Sequence, residues 1–229
     1  MKQVQCNILE VSAFNNHVYK VILKPKEPVQ FKAGQYAKVV MDQNDKRPFS
    51  IACAPHDPNI ELHIGASVPE SYPMQVIEKL KSETQIMIEL AAGEAYIRQE
   101  NQRPRLIIAG GTGFSYAKSL IEDLIQQKST IETTLFWGCR NPESMYGEDL
   151  ARRWTQHDWL TFIPIVEEKP EDFDGKQGLL LDVVCDMIPD FSAYDIYIAG
   201  RFDMSFVAKE KLLKQNVDES HLYGDAFSY

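Results

Sequence analysis

The sequence predicts a two-domain α+β protein, with a six-stranded antiparallel β-barrel followed by a doubly wound parallel α/β domain. Up to about Arg98 the chain consists of short β-rich runs separated by turns, whereas after Pro104 strands and helices alternate. Residues 98–104 between the two parts are polar, lack core side chains and end in proline, which is typical of a linker. We therefore predict domains at residues 1–98 and 99–229.

The first part contains six short β-rich runs, of which the last five cover residues 18–23, 36–41, 47–53, 60–66 and 85–90. Six strands of this length predict a small barrel. One helix is predicted within them, over residues 72–80, because Met74, Ile77 and Leu80 recur at helical spacing.

The second part alternates between the two element types. Strands are predicted over residues 106–109, 133–139, 160–166 and 195–199, with a short last one near Leu222, and helices over 115–126, 146–154, 179–187 and 204–214. This βαβ rhythm predicts a parallel sheet that binds its ligands beyond the carboxyl ends of the strands.

A glycine-rich turn follows the first of these strands. Gly110, Gly111 and Gly113 allow positive φ and bring no Cβ between the main chain and a ligand, and Thr112 adds a hydroxyl donor. Because a helix begins directly afterwards, its free N–H groups predict an anion site, although such a turn can also be simple chain reversal. Glycines follow three of the four main strands, which favours a nicotinamide nucleotide at this edge.

Charge and composition exclude several classes of function. The net charge of −9 comes entirely from residue 99 onward, and no Lys/Arg run exceeds two residues, so we expect no nucleic-acid binding. No apolar run approaches a membrane span and the start lacks a signal-peptide core, which predicts a cytoplasmic protein without a membrane partner. The four cysteines are far apart, so we expect no iron–sulfur cluster and no metal site.

Five motifs, in order along nearly the whole chain, carry a family resemblance. They are FKAGQY at residues 31–36, RPFS at 47–50, GGTGFSYAKS at 110–119, IAGR at 198–201 and GDAF at 224–227. With them the chain resembles the ferredoxin-reductase-type flavoproteins, and more closely the bacterial NAD(P)H:flavin oxidoreductases, including those associated with bioluminescence. The resemblance implies a flavin-binding barrel, a pyridine-nucleotide domain and hydride transfer from nicotinamide to flavin N5.

The resemblance also implies site residues. Ser50 would be the catalytic residue, with its hydroxyl toward N5, and Arg47 would lie on the ribityl or phosphate side of the flavin. The implied flavin-binding set is Tyr36, Arg47, Pro48, Phe49, Ser50, His63, Ile64, Gly65, Ala66, Ser67, Ala226 and Phe227. The implied NAD(P)H-binding set is Gly110, Gly111, Thr112, Gly113, Arg140, Gly200, Arg201 and Met204.

One departure from the wider superfamily bears on flavin affinity. Ferredoxin reductases carry Cys-Gly-Pro beside the nicotinamide, whereas this chain has Ala199-Gly200-Arg201. This resembles the branch that binds riboflavin, FMN or FAD loosely as a substrate and releases it in reduced form. The resemblance implies that a flavin-dependent monooxygenase, as a transient partner, is one possible acceptor of the reduced flavin. The alternatives are a reductase component that holds FAD tightly and serves a partner oxygenase, and a nucleotide-sensing module without turnover.

Two further points stay open in the sequence. Arg140 follows a predicted strand where a 2′-phosphate would lie, but Glu143 nearby could favour a ribose hydroxyl, and Arg140 could also be a plain surface charge. We expect use of both NADH and NADPH. Phe227 could close over the flavin, or the paired aromatics Phe227 and Tyr229 could only complete the protein core.

Overall fold

The computed structural model describes residues 2–228 and divides them into two compact units. The first runs to Ile97 and also includes Lys118–Gln127, and the second contains Arg98–Ala117 and the residues from Lys128 onward. The later half of one helix thus belongs to the first unit by its contacts, a grouping that linear sequence does not show. The assignment of residues 1–98 and 99–229 as functional domains stays a prediction.

The first unit is built on a six-stranded antiparallel sheet. Its strands are β1 Lys2–Ala13, β2 Val18–Pro25, β3 Tyr36–Val40, β4 Lys46–Ser50, β5 Ile60–Gly65 and β6 Gln85–Ala92, in the order β4-β3-β6-β1-β2-β5. Helix α1, Tyr72–Ser82, begins at the N-cap Ser71 and buries Val76, Ile77 and Leu80. The predicted six strands and the helix are confirmed.

The sheet does not close into a continuous barrel, which corrects part of the prediction. Between the edge strands β4 and β5 the described residues form a single isolated antiparallel bridge, Ile51 to Leu62, beside a hydrogen bond from Ala52 N–H to the Glu61 carbonyl. Pro48 in the middle of β4 has no N–H to donate, as is typical of an edge strand. The curled sheet still encloses one apolar core, which includes Val21, Val39 and Leu62.

The second unit is built on a six-stranded parallel sheet in the order β10-β9-β8-β7-β11-β12. Its strands are β7 Arg105–Gly110, β8 Thr133–Cys139, β9 Leu160–Val166, β10 Lys176–Gln177, β11 Asp195–Ala199 and β12 Leu222–Tyr223. Its helices are α2 Phe114–Gln126, which runs on into the first unit, α3 Glu148–Trp154, α4 Leu180–Met187 and α5 Phe202–Leu213. The predicted doubly wound topology is confirmed, and β10 is an addition that the sequence did not predict.

Alternating side chains of β7 define the two faces of this sheet. Leu106 and Ile108 pack into an apolar core with Val184 of α4 and Ala208 of α5. The aromatic rings of Phe114, at the start of α2, and Trp137, in β8, stack with centroids 4.0 Å apart. Both rings are fully buried, so the start of α2 is fixed by packing on β8.

Candidate functional site

The pairing of β3 with β4 shows which of the predicted flavin-binding residues project from the same face of the sheet. Ala37 and Val39 are buried, and their cross-strand partners are Phe49 and Arg47. Because side chains alternate along a strand, Tyr36, Pro48 and Ser50 project from the opposite face. Tyr36 and Ser50 are direct cross-strand partners, so their Cβ atoms lie about 5 Å apart. The structure thus brings together Tyr36, Pro48 and Ser50 on one surface.

The same surface continues onto β5. Ile60, Leu62 and Ile64 point into the core, so Glu61, His63 and Gly65 point away from it. The bridge between Ile51 and Leu62 sets the register, and continuing it by one residue places Ser50 opposite His63. Tyr36, Ser50 and His63 therefore form one row across β3, β4 and β5.

His63 is held in place by its neighbours. Its Nε2 lies 2.8 Å from Glu61 Oε1, and the ring of Phe14 packs edge-on with the centroids 4.9 Å apart. Burial lowers the pKa of His63, and the hydrogen bond to Glu61 offsets this only in part. The ring is therefore neutral at neutral pH, with Nε2–H as the donor, and it forms a fixed end to the row.

Glu61, the hydrogen-bond partner of His63, belongs to a cluster of buried charged side chains. Lys118 Nζ donates to Glu61 Oε2 at 2.9 Å, to Glu122 Oε2 at 2.8 Å and to the Ala52 carbonyl at 3.2 Å. Burial by itself would raise the pKa of Glu61, but the hydrogen bond from His63 and the charge of Lys118 lower it to about 2. Sequence reasoning missed this cluster, because Lys118 and Glu61 are 57 positions apart.

Arg47 lies on the other face of β4 from Ser50. Its guanidinium binds both carboxylate oxygens of Asp45, donates to the Tyr72 carbonyl at 2.6 Å and to Gln75 Oε1 at 2.8 Å, and is 7% exposed. These contacts fasten β4 to the start of α1. Its predicted contact with a flavin stays a prediction, as do those of Phe49 on the same face and Ile64 in the core.

The remaining predicted residues of this segment differ in exposure. Gly65 is half-buried, Ala66 is buried and Ser67 is exposed. The Ala66 N–H donates to the His17 carbonyl at 2.8 Å, which fixes the chain as it leaves β5.

The glycine-rich turn of the second unit has one open position. Residues 111–113 form a single 3₁₀ turn between β7 and α2, and Gly111 has φ +53°. A Cβ on Gly111 would have no atom of the described residues within 4 Å. The Gly111 carbonyl accepts a hydrogen bond from Trp137 Nε1 at 2.9 Å, and the Thr112 carbonyl accepts one from Ser115 Oγ. The turn is therefore fixed from within while its Gly111 surface stays open.

Packing explains the other strand-end glycines. The Met204 thioether lies against Gly110 and Gly200, and a Cβ on Gly200 would come within 2.8 Å of Met204 Cε. A Cβ on Gly138 would come within 2.7 Å of Leu180 Cβ, and one on Gly113 would collide with the carbonyl oxygen of Ala199. Close approach of helices and backbone thus requires these glycines, and their number alone is no argument for a nucleotide.

The charged residues at the sheet edge are exposed. Arg140 directly follows β8, and its Nε donates to Glu168 Oε1 at 2.7 Å. Arg201 precedes α5, and its carbonyl accepts the hydrogen bond of Ser205 N–H at 3.0 Å. The sequence reasoning considered Glu143 but missed Glu168 as the partner of Arg140.

The tail forms a 3₁₀ turn over Asp225–Ser228. The Phe227 ring packs on the core of the second unit, and the Lys209 ammonium lies 5.3 Å from its centroid. This packing supports the alternative in which Phe227 completes the core. The predicted flavin contacts of Phe227 and of half-buried Ala226 stay predictions, and Tyr229 lies outside the residues that the structure describes.

Residues 2–228 contain no group of three or more His, Cys, Asp or Glu side chains placed to hold a metal ion. The helices among them include none that is long and apolar enough to cross a membrane. Burial raises the pKa of the Cys6, Cys53 and Cys139 thiols to about 12, so these thiols are unreactive at neutral pH.

Comparison with known proteins identifies the family. Residues 107–210 match the model of the oxidoreductase NAD-binding domain. A protein named NAD(P)H-flavin reductase from Vibrio harveyi is 39% identical over 234 residues, which cover 99% of both chains. The chain belongs to the NAD(P)H-flavin reductase family. A probable flavin reductase from Photobacterium leiognathi is 36% identical over 98% of both chains.

Solved structures show the same ferredoxin-reductase-like fold as this flavin reductase family member. A ferredoxin reductase in carbazole 1,9a-dioxygenase matches 99% of this chain and 69% of its own, with a TM-score of 0.83 and 24% identity. The FAD/NAD-binding domain of nitric oxide dioxygenase from Vibrio cholerae matches 96% of both chains, with a TM-score of 0.81 and 15% identity. At these identities the likeness concerns the fold alone.

Proposed function

We propose that this protein reduces a loosely bound flavin with NADH or NADPH and releases the reduced flavin. The observation that carries the proposal is the row of Tyr36, Ser50 and His63 across three strands. Relatives named NAD(P)H-flavin reductase, aligned over 99% of the chain, support it. Riboflavin, FMN and FAD share the isoalloxazine ring and are all candidate substrates.

The proposed reaction moves one hydride. The C4–H bond of the dihydronicotinamide breaks with both of its electrons, a new N5–H bond forms on the flavin, and the nicotinamide leaves oxidised. Such a transfer requires the reacting atoms about 3 to 3.5 Å apart and no general acid or base from the protein. Ser50 then acts by hydrogen bonding at N5 as the electrons arrive, an electrostatic role that lowers the barrier without supplying a proton.

The surroundings of Ser50 suit that role. Tyr36 and Ser50 are half-buried and Pro48 is exposed, so a planar ring could lie on this surface and reach the serine hydroxyl. Neutral His63 adds no charge beside the ring. On the nucleotide side, open Gly111 is the proposed pyrophosphate contact. The first N–H of α2, that of Phe114, already donates to the Gly111 and Thr112 carbonyls, so the sequence-based expectation of a free N–H there does not hold.

The test uses the purified protein without added flavin. We expect a colourless protein that oxidises NADH only when riboflavin is supplied, with absorbance at 340 nm as the measure. A yellow protein that keeps its flavin through dialysis would instead indicate the tight-FAD reductase component of an oxygenase. A colourless protein that stays inert with both ligands would indicate the binding module.

Replacement of Ser50 tests its role. Ser50→Ala should lower kcat by about 10²-fold or more, as loss of one preorganised donor does, while the KM for NADH changes little. Ser82→Ala is the matched control, because that exposed hydroxyl only donates to the Lys79 carbonyl at the end of α1. An unchanged kcat in Ser50→Ala would remove Ser50 from the mechanism.

A further inference from the structure

The carboxyl ends of β8 and β9 carry a charge arrangement that bears on coenzyme choice. Beyond the strands, Glu167 N–H donates to the Cys139 carbonyl at 3.2 Å and Glu168 N–H to the Arg140 carbonyl at 2.8 Å. The two chain ends therefore stay paired past the last strand residues. This pairing holds Arg140 and Glu168 side by side, and their side chains meet at 2.7 Å.

The place of this pair in the sheet matters for nucleotides. β8 is the direct neighbour of β7, the strand that leads into the glycine turn. In doubly wound folds, an acidic residue about 20 residues beyond the glycine turn can bind the ribose 2′-hydroxyl, whereas an arginine nearby accommodates a 2′-phosphate. Arg140 at the end of β8 lies near that place, and Glu168 reaches it from the end of β9. Here both residue types are present, and they are bound to each other.

Glu168 acts against a 2′-phosphate in two ways. Its carboxylate occupies the Nε edge of Arg140, so the guanidinium cannot offer that edge to a phosphate. Its charge, with that of Glu167, also repels a phosphate dianion that approaches Arg140. A neutral 2′-hydroxyl meets no such repulsion and could donate to the Glu168 carboxylate.

We propose that the Arg140–Glu168 pair is the specificity determinant for the coenzyme, and that Glu168 biases the site toward NADH and against NADPH. This inference rests on the proposed function only in taking the ligand to be a nicotinamide nucleotide. Both side chains are exposed, 75% for Arg140 and 58% for Glu168, so the bias is moderate and compatible with use of both coenzymes.

The test measures binding of two fragments that differ only in the 2′-phosphate, 5′-AMP and 2′,5′-ADP, by calorimetry. Wild-type protein should bind 5′-AMP at least as tightly. Glu168→Gln should shift the affinity ratio toward 2′,5′-ADP by about tenfold, from Coulomb's law for one unit charge and a phosphate dianion about 6 Å apart in water. The shift should shrink as salt is raised, because these charges are exposed.

Two further variants isolate the mechanism. In an Arg140→Gln background, Glu168→Gln should give a smaller shift, because only the direct repulsion of the phosphate is then removed and no guanidinium edge is freed to bind it. Glu210→Gln, the same charge change on the exposed face of α5, should leave the ratio as in wild type. A ratio in Glu168→Gln within twofold of wild type, or no binding of either fragment, would overturn the inference.

The steady-state NADPH/NADH ratio of kcat/KM with riboflavin should move in the same direction. Wild-type protein that binds the fragments but oxidises neither coenzyme would contradict the proposed function and leave this inference standing. If the wild-type protein is active but Glu168→Gln leaves both the fragment affinity ratio and the NADPH/NADH ratio unchanged, this inference is wrong and the proposed function stands.

Discussion

Removal of the Lys118 ammonium should destabilise the protein in a pH-dependent way. Lys118→Met keeps a similar apolar stem and deletes the charge between Glu61 and Glu122. The side chains of Lys118 and Glu61 are only 10% and 13% exposed, so solvent cannot replace the lost interaction. The His63 hydrogen bond and Lys118 together lower the Glu61 pKa from 4.5 to about 2, so the pKa shift is not due to Lys118 alone. Removal of one partner of a buried ion pair typically costs about 3 to 5 kcal/mol, and we expect Lys118→Met to lose about 3 kcal/mol at neutral pH.

The sign of the pH effect follows from the Glu61 pKa. In wild type, its folded value lies below the unfolded one, so its contribution is complete above about pH 4.5 and is lost as the pH falls toward 2. Without Lys118, only the His63 hydrogen bond opposes the effect of burial, so the folded pKa of Glu61 rises and protonation of Glu61 costs the variant less stability than it costs wild type. The difference in unfolding free energy should be largest at pH 7 to 8 and shrink below about pH 5.

Urea unfolding followed by far-UV circular dichroism, from pH 8 to 4.5, measures this difference. Lys79→Met is the matched control, because the Lys79–Glu83 pair at the end of α1 is more exposed, at 25% and 40%, and should contribute less than about 0.5 kcal/mol. A loss in Lys118→Met no larger than that of the control, or one that grows on acidification, would refute the reasoning.

Glycine and tryptophan substitutions test the turn after β7. Gly113→Ala should destabilise the fold by about 2 to 3 kcal/mol, because its methyl group collides with the Ala199 carbonyl, and thermal unfolding measures this loss. Gly111→Ala should lower the free energy of unfolding by only about 1 to 2 kcal/mol, because Gly111 has a positive φ. It should also raise the KM for NADH about tenfold, and an unchanged KM would count against a pyrophosphate at this turn. Trp137→Phe should keep the ring packing, lose the bond to Gly111 and lower the melting temperature by a few degrees in a thermal scan.

Local patterns were sufficient for most elements of the fold. Strands β8, β9 and β11 begin and end at the predicted residues, because each is a buried apolar run between turn signals. Strand β10 was not predicted, since two polar residues carry no periodic signal. The incomplete closure between β4 and β5 depends on register between distant segments, which local patterns do not encode.

The candidate site was predictable to a similar degree. Period-two alternation along β4 is enough to separate Arg47 from Ser50, so sequence reasoning could have placed them on opposite faces. The Lys118–Glu61 pair and the Arg140–Glu168 pair join residues far apart in sequence, and no local spacing indicates them. In the sequence, a glycine at a strand end could serve close packing or the approach of a ligand. Only the packing of Met204 and Leu180 distinguishes the glycines that serve packing from Gly111.

The central claim is direct hydride transfer from nicotinamide to a dissociable flavin. Anaerobic mixing of the protein with riboflavin and NADH, or NADH deuterated at the transferred C4 position, follows that step as loss of flavin absorbance near 450 nm. We expect bleaching that requires the protein, slows several-fold with deuterium, and yields reduced riboflavin that passes a membrane retaining the protein. Bleaching that is absent, or reduced flavin that stays with the protein, would contradict the account.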